Sequence, residues 1–373
     1  MSKQGSVRAP RGVVLTYPNR RHEPQHERSV HAALAERLAD LLGYHYGGDY
    51  RPGTVPGGHI YLVPSGTIVG SQEARELGLE AETDLFGGFV PHPFVQTKAI
   101  THPLVRSEAD APVGWSRDFC AQVRDSVLPG YSAFTRDDAR DAGLRLLHEG
   151  PVRIKPVRAT GGRGQVEIHD VAALDQALAE LDERELETYG LVLESNLAQV
   201  TTFSVGQVQV GDQLASYYGT QCLTPDNNGQ QVYGGSDLVV VSGDFDALLR
   251  CDLDEATRLA VEQARVYDRA ARSCFRGLVA SRRNYDIARG VDARGRACSG
   301  VLEQSWRIGG ASGAEIAALQ ALRADPERVV HAATRELYGE SQAIPPDAEV
   351  LFRGEDSEIG FVTKCVVVRH GSA

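Results

Sequence analysis

Lys155 stands in an alternating run, Val152 to Val157, and shortly after it three glycines and an arginine (Gly161, Gly162, Arg163 and Gly164) fill four consecutive positions. A turn joining two strands needs one or two glycines. A denser cluster leaves backbone N–H groups bare, and bare amides beside an ammonium suit phosphate. A second constellation lies far downstream, in the stretch RRNYDIARGVDARGRACSGVLEQSWRIGGASG. It reads as two adjacent strands. The first carries Asp286; the second carries Glu303 and Ser305 on one face, with Arg307 two residues on, ahead of Gly309 and Gly310. Paired carboxylates on neighbouring strands make a hard-oxygen site for Mg²⁺, with Mn²⁺ as the alternative ion, and such a cation takes phosphate oxygens as further ligands. Val301, Leu302 and Trp306 mark this region as buried, where an unpaired carboxylate is costly.

These groups must be positioned by the elements around them. Side chains alternate across a strand, so Arg153, Lys155 and Val157 face one way and Val152, Ile154 and Pro156 the other. The apolar set can pack on an amphipathic helix expected over 170–190, which Asp170 caps. Glu194 ends the next strand, LVLES, and can flank an adenine that reads the strand's backbone. A plain β-turn with a solvated lysine, and a surface glutamate, are the competing readings of these two stretches. Neither a Walker loop nor GxGxxG is present.

The wider pattern is α/β, with an α+β, strand-rich second half. Strand 12–18 and a helix with Val30, Leu34, Leu38, Leu41 and Leu42 on one face open the chain, and Gly43 stops that helix. A linker is expected near residue 110. A hairpin turns at Gly211 and Asp212. A helix following Gly310 is expected to run to about 337, with two strands to close. Three units result: 1–110, 111–195 and 196–373.

The 373 residues suit two or three cores. A net charge of −11 argues against a nucleic-acid partner. No apolar run approaches the roughly 20 residues of a membrane helix, and no secretory leader is visible. Six scattered cysteines without a CxxC pair suggest neither zinc nor a disulfide framework, so a reducing cytoplasm is the expectation. A homodimer is compatible with a chain of this size.

The order of RIKPVRATGGRGQ, LVLES, NYDIA and VLEQSWRIGG over about residues 115–320 resembles the ATP-grasp superfamily. The resemblance implies an α/β pre-domain, then two β-rich lobes enclosing ATP. It implies that Lys155 binds the α and β phosphates and that Gly161, Gly162, Arg163 and Gly164 form a lid. Glu194, Ser195, Asn196 and Leu197 would be the hinge that reads adenine. Asp286 and Glu303 would hold magnesium with Ser305 beside them, and Arg307 and Arg283 would stabilise a transferred phosphoryl group or a substrate carboxylate. The implied activity is ligation: a carboxylate is activated as an acyl phosphate and captured by an amine or similar nucleophile.

The sequence departs from that family in several places. Ser305 replaces a usual asparagine. Thr201 and Thr202 stand where a ribose-binding acid is common. Asp292 competes with Asp286 as metal ligand. Arg117 and Arg124 are the candidates for a second phosphate-binding base. A non-catalytic ATP sensor and a small-molecule phosphotransferase remain as alternatives. Substrate candidates are His92, Lys98 and His102, and the segment 224–237.

Overall fold

The computed structural model describes residues 11–53, 58–158 and 164–369, so Gly161, Gly162 and Arg163 lie outside the described residues. Strand β1 (Gly12–Tyr17), an almost wholly buried run of apolar residues, lies between β2 (His45–Asp49) and β3 (His59–Pro64) in a parallel sheet. Helix α1 (Gln25–Leu42) connects β1 to β2 and buries Leu34, Ala35, Leu38 and Leu41. It ends on Gly43 at φ +68°, a left-handed conformation that glycine takes without steric cost. Strand β4 (Ile68–Val69), helix α2 (Ser71–Glu76) and strand β5 (Gly88–Val90) follow. Two 3₁₀ turns, Pro93–Gln96 and Lys98–Thr101, then lead out, and the Thr97 hydroxyl accepts from the Ala99 amide at the start of the second.

The next unit comprises α3 (Arg117–Val123), β6 (Gly130–Ala133), α4 (Arg136–Leu147), β7 (Val152–Pro156), β8 (Val166–Ile168), α5 (Val171–Ala179), α6 (Glu183–Tyr189) and β9 (Leu191–Ser195). Its strands form an antiparallel sheet in the order β6-β9-β7-β8. Thr135 and Asp170 cap α4 and α5 through their side-chain oxygens. The single helix expected over 170–190 is two, because Asp182 accepts from the Glu185 amide and starts a new one.

The last unit contains β10 (Ala198–Val210), β11 (Gln213–Pro225), β12 (Gln231–Ser242), α7 (Phe245–Leu249), α8 (Glu255–Cys274), β13 (Val279–Ala280), β14 (Arg282–Val291), β15 (Ala297–Ser305), α9 (Ser312–Ala324), β16 (Val330–Tyr338), β17 (Ala348–Asp356) and β18 (Gly360–Arg369). Among the described residues, eight of these strands form one sheet in the order β15-β14-β10-β11-β12-β16-β18-β17. The helix expected to reach 337 stops at Ala324. Asp325 leaves helical geometry (φ −148°, ψ 93°) ahead of Pro326, and the β-branched run that follows becomes β16, so three strands close the chain.

One face of this sheet, with Phe203, Val205, Tyr285 and Ile287, packs on Ala260, Val261, Ala264 and Tyr267 of α8. On the other face Tyr217 and Leu238 pack with Ile316 and Leu319 of α9 and with Leu34 and Leu38 of α1. Ser204, Gln221, Asn284 and Asp286 point to that second face and line an open cleft. Strand β13 pairs with β5, which ties the first unit to the floor of the last.

Candidate functional site

Between the four-stranded and eight-stranded sheets lies a cleft of about 720 Å³. On its small-lobe wall Lys155 of β7 is 3% exposed and makes a salt bridge with Glu194 of β9, itself 2% exposed. Adjacent strands deliver the pair, since β7 and β9 hydrogen-bond in register. His102 Nε2 donates to the other carboxylate oxygen of Glu194 at 3.1 Å. Burial alone would raise the Glu194 carboxyl, but Lys155 and His102 outweigh it and hold it at about 2. His102 fits because position 130 is glycine: a Cβ there would stand 2.9 Å from the imidazole. The His102 Nδ1 is buried without a partner.

Ser195 and Leu197 line the same end of the cleft. Leu197 joins Leu128, Ala288 and Leu302 in a small apolar cluster, a slot with the character an aromatic ring requires. Asn196 is turned elsewhere: its side-chain oxygen accepts two bonds from Arg153, at 2.8 and 2.5 Å. Thr202 lines the cleft. Gly164 is described at φ +68°.

Opposite stand the carboxylates. Asp286 and Glu303 are register partners across β14 and β15. Asp286 Oδ1 accepts from Gln221 Nε2 at 2.9 Å and from Asn284 Nδ2 at 3.0 Å. Burial and the neighbouring Glu303 raise the Asp286 carboxyl to about 6. Two crowded carboxylates of this kind suit a divalent cation that arrives with phosphate, because such an ion needs only one or two protein ligands. Among the described residues no cluster of three or more His, Cys, Asp or Glu side chains stands ready for a metal without phosphate. Asp292 is not near this pair. It shapes the β14–β15 turn by accepting from the Arg294 and Arg296 amides.

The cleft also holds a cation from the first unit. Lys98, 5% exposed, places its Nζ 2.5 Å from Glu303 Oε2. Arg117 and Arg124, the expected second bases, are exposed on α3 and its end, and Arg117 donates to the Ser107 carbonyl. His92 stacks on Phe94 with 5.8 Å between ring centroids and does not line the cleft.

Two arginines of β14 separate by strand alternation. Arg283 faces away from the cleft, where it donates to Gln207 Oε1 at 2.5 Å and approaches Asp268 of α8 at 3.7 Å. The expectation that Arg283 joins Arg307 in stabilising a transferred phosphoryl group or a substrate carboxylate is corrected on that ground. Arg282 faces the cleft. It binds the buried Glu315 of α9 at 2.7 Å and donates to the Arg307 carbonyl at 2.9 Å and to Ser305 Oγ at 3.3 Å. Arg307 lines the cleft half-buried, and burial, Arg282 and Arg20 all push its guanidinium down.

The structure thus brings Lys155, Glu194, Ser195, Leu197, Asp286, Glu303, Ser305 and Arg307 to one cavity and leaves Asn196 and Arg283 out of it. Sequence reasoning missed Arg282, Asn284 and Gln221. The parity of β14 was the available signal, since Arg282, Asn284 and Asp286 alternate together. Gln231, Val232, Tyr233 and Ser236, from the segment considered for substrate, do line the cleft.

The biotin carboxylase–beta-gamma-ATP complex from Campylobacter jejuni is similar over 96% of this chain and 87% of its own, at 12% identity and a TM-score of 0.54. Phosphoribosylamine–glycine ligase from Thermotoga maritima is similar over 95% and 92%, at 13% identity and a TM-score of 0.52. The ADP complex of N5-carboxyaminoimidazole ribonucleotide synthetase is similar over 97% and 93%, at 10% identity and a TM-score of 0.52. No curated protein matches the chain. No helix among the described residues is long and apolar enough to cross a membrane. The likeness to these structures is one of fold, and that fold is ATP-grasp. Residues 14–366 match the family described as "Protein of unknown function (DUF3182)", and the chain belongs to it.

Proposed function

We propose that this chain is an ATP- and magnesium-dependent ligase that activates a carboxylate as an acyl phosphate for attack by an amine or similar nucleophile. One observation carries the reading: the buried Lys155–Glu194 pair and the Asp286–Glu303 pair line a single cleft between two sheets. The slot formed by Leu128, Leu197, Ala288 and Leu302 takes adenine. Lys155 and Lys98 neutralise phosphate oxygens, and Arg307 holds the reacting carboxylate. Asp286 and Glu303 would hold Mg²⁺, which when bound neutralises phosphate charge during transfer.

The substrate carboxylate oxygen attacks the γ phosphorus, and the bond to the β–γ bridging oxygen breaks as ADP leaves. The amine nitrogen then attacks the acyl carbon, phosphate leaves with the C–O bond electrons, and the nitrogen loses a proton. Catalysis of this kind is mostly positioning and charge neutralisation.

The ligase is distinguished from a phosphotransferase and from an ATP sensor by the fate of phosphate. With ATP, magnesium and a mixture of candidate acids and amines, a ligase releases inorganic phosphate only when both partners are present. Phosphate retained on a small molecule supports the phosphotransferase, and ATP binding without any turnover supports the sensor.

A further inference from the structure

Past Ser305 the cleft continues into a chamber walled by α1, the start of α9, and strands β16 and β18. This is the space a substrate occupies if the cleft is a ligase site, so the identity of its occupant rests on that reading. Most ionic groups of the chamber are paired. Arg335 donates to Asp237 at 2.6 Å, Lys364 to Glu336 at 2.9 Å, and Arg282 to Glu315 at 2.7 Å. Arg307 is different. Among the described residues it makes no salt bridge, and its Nη1 donates to the Ile308 carbonyl at 3.0 Å.

On the α1 wall a carboxylate shares its partner. One guanidinium, Arg20, serves two carboxylates, Glu23 at 3.3 Å and Glu27. The Glu23 side chain is buried and is further held by His31 at 2.5 Å, with the exposed Arg28 at 3.9 Å. Glu27 is the carboxylate that faces the chamber. Arg20 and Lys364 keep it below its ordinary value against partial burial, so it is ionised. The chamber therefore offers a guanidinium without a salt bridge at Arg307 and, across from it, a carboxylate, Glu27, whose guanidinium partner is shared with Glu23.

Gly309 adds a shape. A Cβ there would stand 3.6 Å from Arg307 Nη1 and 3.9 Å from Arg282 Nη1, with nothing nearer, and the residue is not in the left-handed region. Neither backbone conformation nor packing requires glycine at this position. What the missing side chain leaves is room between two guanidiniums, which suits an anionic oxygen group. Val30 and Leu351 add apolar wall.

We propose that the substrate seated in this chamber is an α-amino acid or a close zwitterionic analogue. Its carboxylate lies between Arg307 and Arg282 over Gly309, and its ammonium faces Glu27. A simple acid leaves Glu27 with only the guanidinium it shares with Glu23. A dicarboxylate or a phosphorylated acid sets a second negative charge against it, which costs binding.

The test is calorimetric titration of the protein, both loaded with Mg-ADP and nucleotide-free. The probes are the common amino acids, their deaminated acids, their amides, and small dicarboxylates and phosphorylated acids. At least one amino acid binds at least about tenfold tighter than both its deaminated acid and its amide. Glu27→Gln closes most of the gap to the deaminated acid, and Gly309→Leu abolishes amino-acid binding, both with ADP affinity unchanged. Unchanged ADP affinity also shows that the variants are folded. The proposal is overturned if deaminated acids bind as well as amino acids. It is equally overturned if dianionic acids bind best, if no amino acid binds, or if Glu27→Gln leaves the gap intact. Failure of ADP to bind would sink the ligase reading instead, and titration of the nucleotide-free protein would still decide between a zwitterion and its rivals.

Discussion

The ammonium of Lys98 lies 2.5 Å from the Oε2 of Glu303, although the two residues are delivered by different units of the chain. Lys98 comes from a 3₁₀ turn that follows β5, and Glu303 from the edge strand β15. A 5% exposed lysine against Glu303 keeps that carboxylate aimed into the cleft, and under the proposed function the two meet a triphosphate there. Replacing Lys98 by Met is expected to weaken ATP affinity by roughly 10- to 100-fold, the worth of one charge-assisted hydrogen bond. Fluorescent-nucleotide titration measures it. An affinity equal to that of the parent would remove Lys98 from the site.

Glu194 makes a prediction about acid. Its carboxyl falls from an ordinary 4.5 to about 2, because Lys155 and His102 overcome the effect of burial. A depressed carboxyl contributes stability that is complete above its unfolded value and is lost as pH falls through the folded one. The window therefore runs from about 4.5 down to about 2. At 1.36 kcal/mol per unit the contribution is on the order of 3 kcal/mol. Urea unfolding across that window should show Glu194→Gln less stable near neutrality, with the difference from the parent shrinking as pH drops. A constant difference would contradict the assignment.

Glu303→Gln separates binding from turnover. The variant keeps the shape of the side chain and removes the charge that a divalent cation needs. ATP should still bind without added magnesium, while the gain in affinity on adding magnesium falls. Phosphate release should drop on the order of 10²- to 10³-fold. Full magnesium dependence in the variant would assign the metal to other groups.

Arg282 and Arg283 are adjacent and equally buried, yet they predict different losses. Arg282 holds Glu315, the Ser305 hydroxyl and the Arg307 carbonyl. Arg282→Met strands a buried carboxylate, so it should cost roughly 3–5 kcal/mol and loosen the segment bearing Arg307. Arg283→Met acts on the α8 side of the sheet, where it lowers stability while ATP affinity stays at the parental value. Denaturant melts paired with nucleotide titration of both variants check this. Lost ATP affinity in Arg283→Met would restore it to the cleft.

Much of this arrangement is legible in the sequence, because it depends on local periodicity. Strand alternation at 152–157 sets Lys155 against Ile154, and the spacing of Glu303 from Ser305 gives their common face. Alternation also separates Arg283 from Asp286 on β14, which is where a motif-based assignment went astray. The β16 misreading has a similar origin. VVHAATREL carries apolar residues at spacings that fit helix or strand, and only the break at Asp325 and Pro326 with pairing to β12 and β18 decides for strand. Lys98 beside Glu303 and His102 behind Glu194 were not legible as roles. Both lie in turns without a period, and their partners are about 90 or more residues away, at a distance set by tertiary packing alone. The pairing of Asp286 with Glu303, in preference to Asp292, likewise needed the strand register.

The ammonium of Lys155, with that of Lys98, and the carboxylates of Asp286 and Glu303 are proposed to grip a single nucleotide. Calorimetric titration of ATP, with and without magnesium, into the parent protein and into Lys155→Ala tests it most directly. Saturable binding at one site per chain is expected, strengthened by magnesium in the parent and weakened by roughly 100-fold or more in Lys155→Ala. Absence of ATP binding by a folded parent protein, or equal affinity in the variant, would contradict the account.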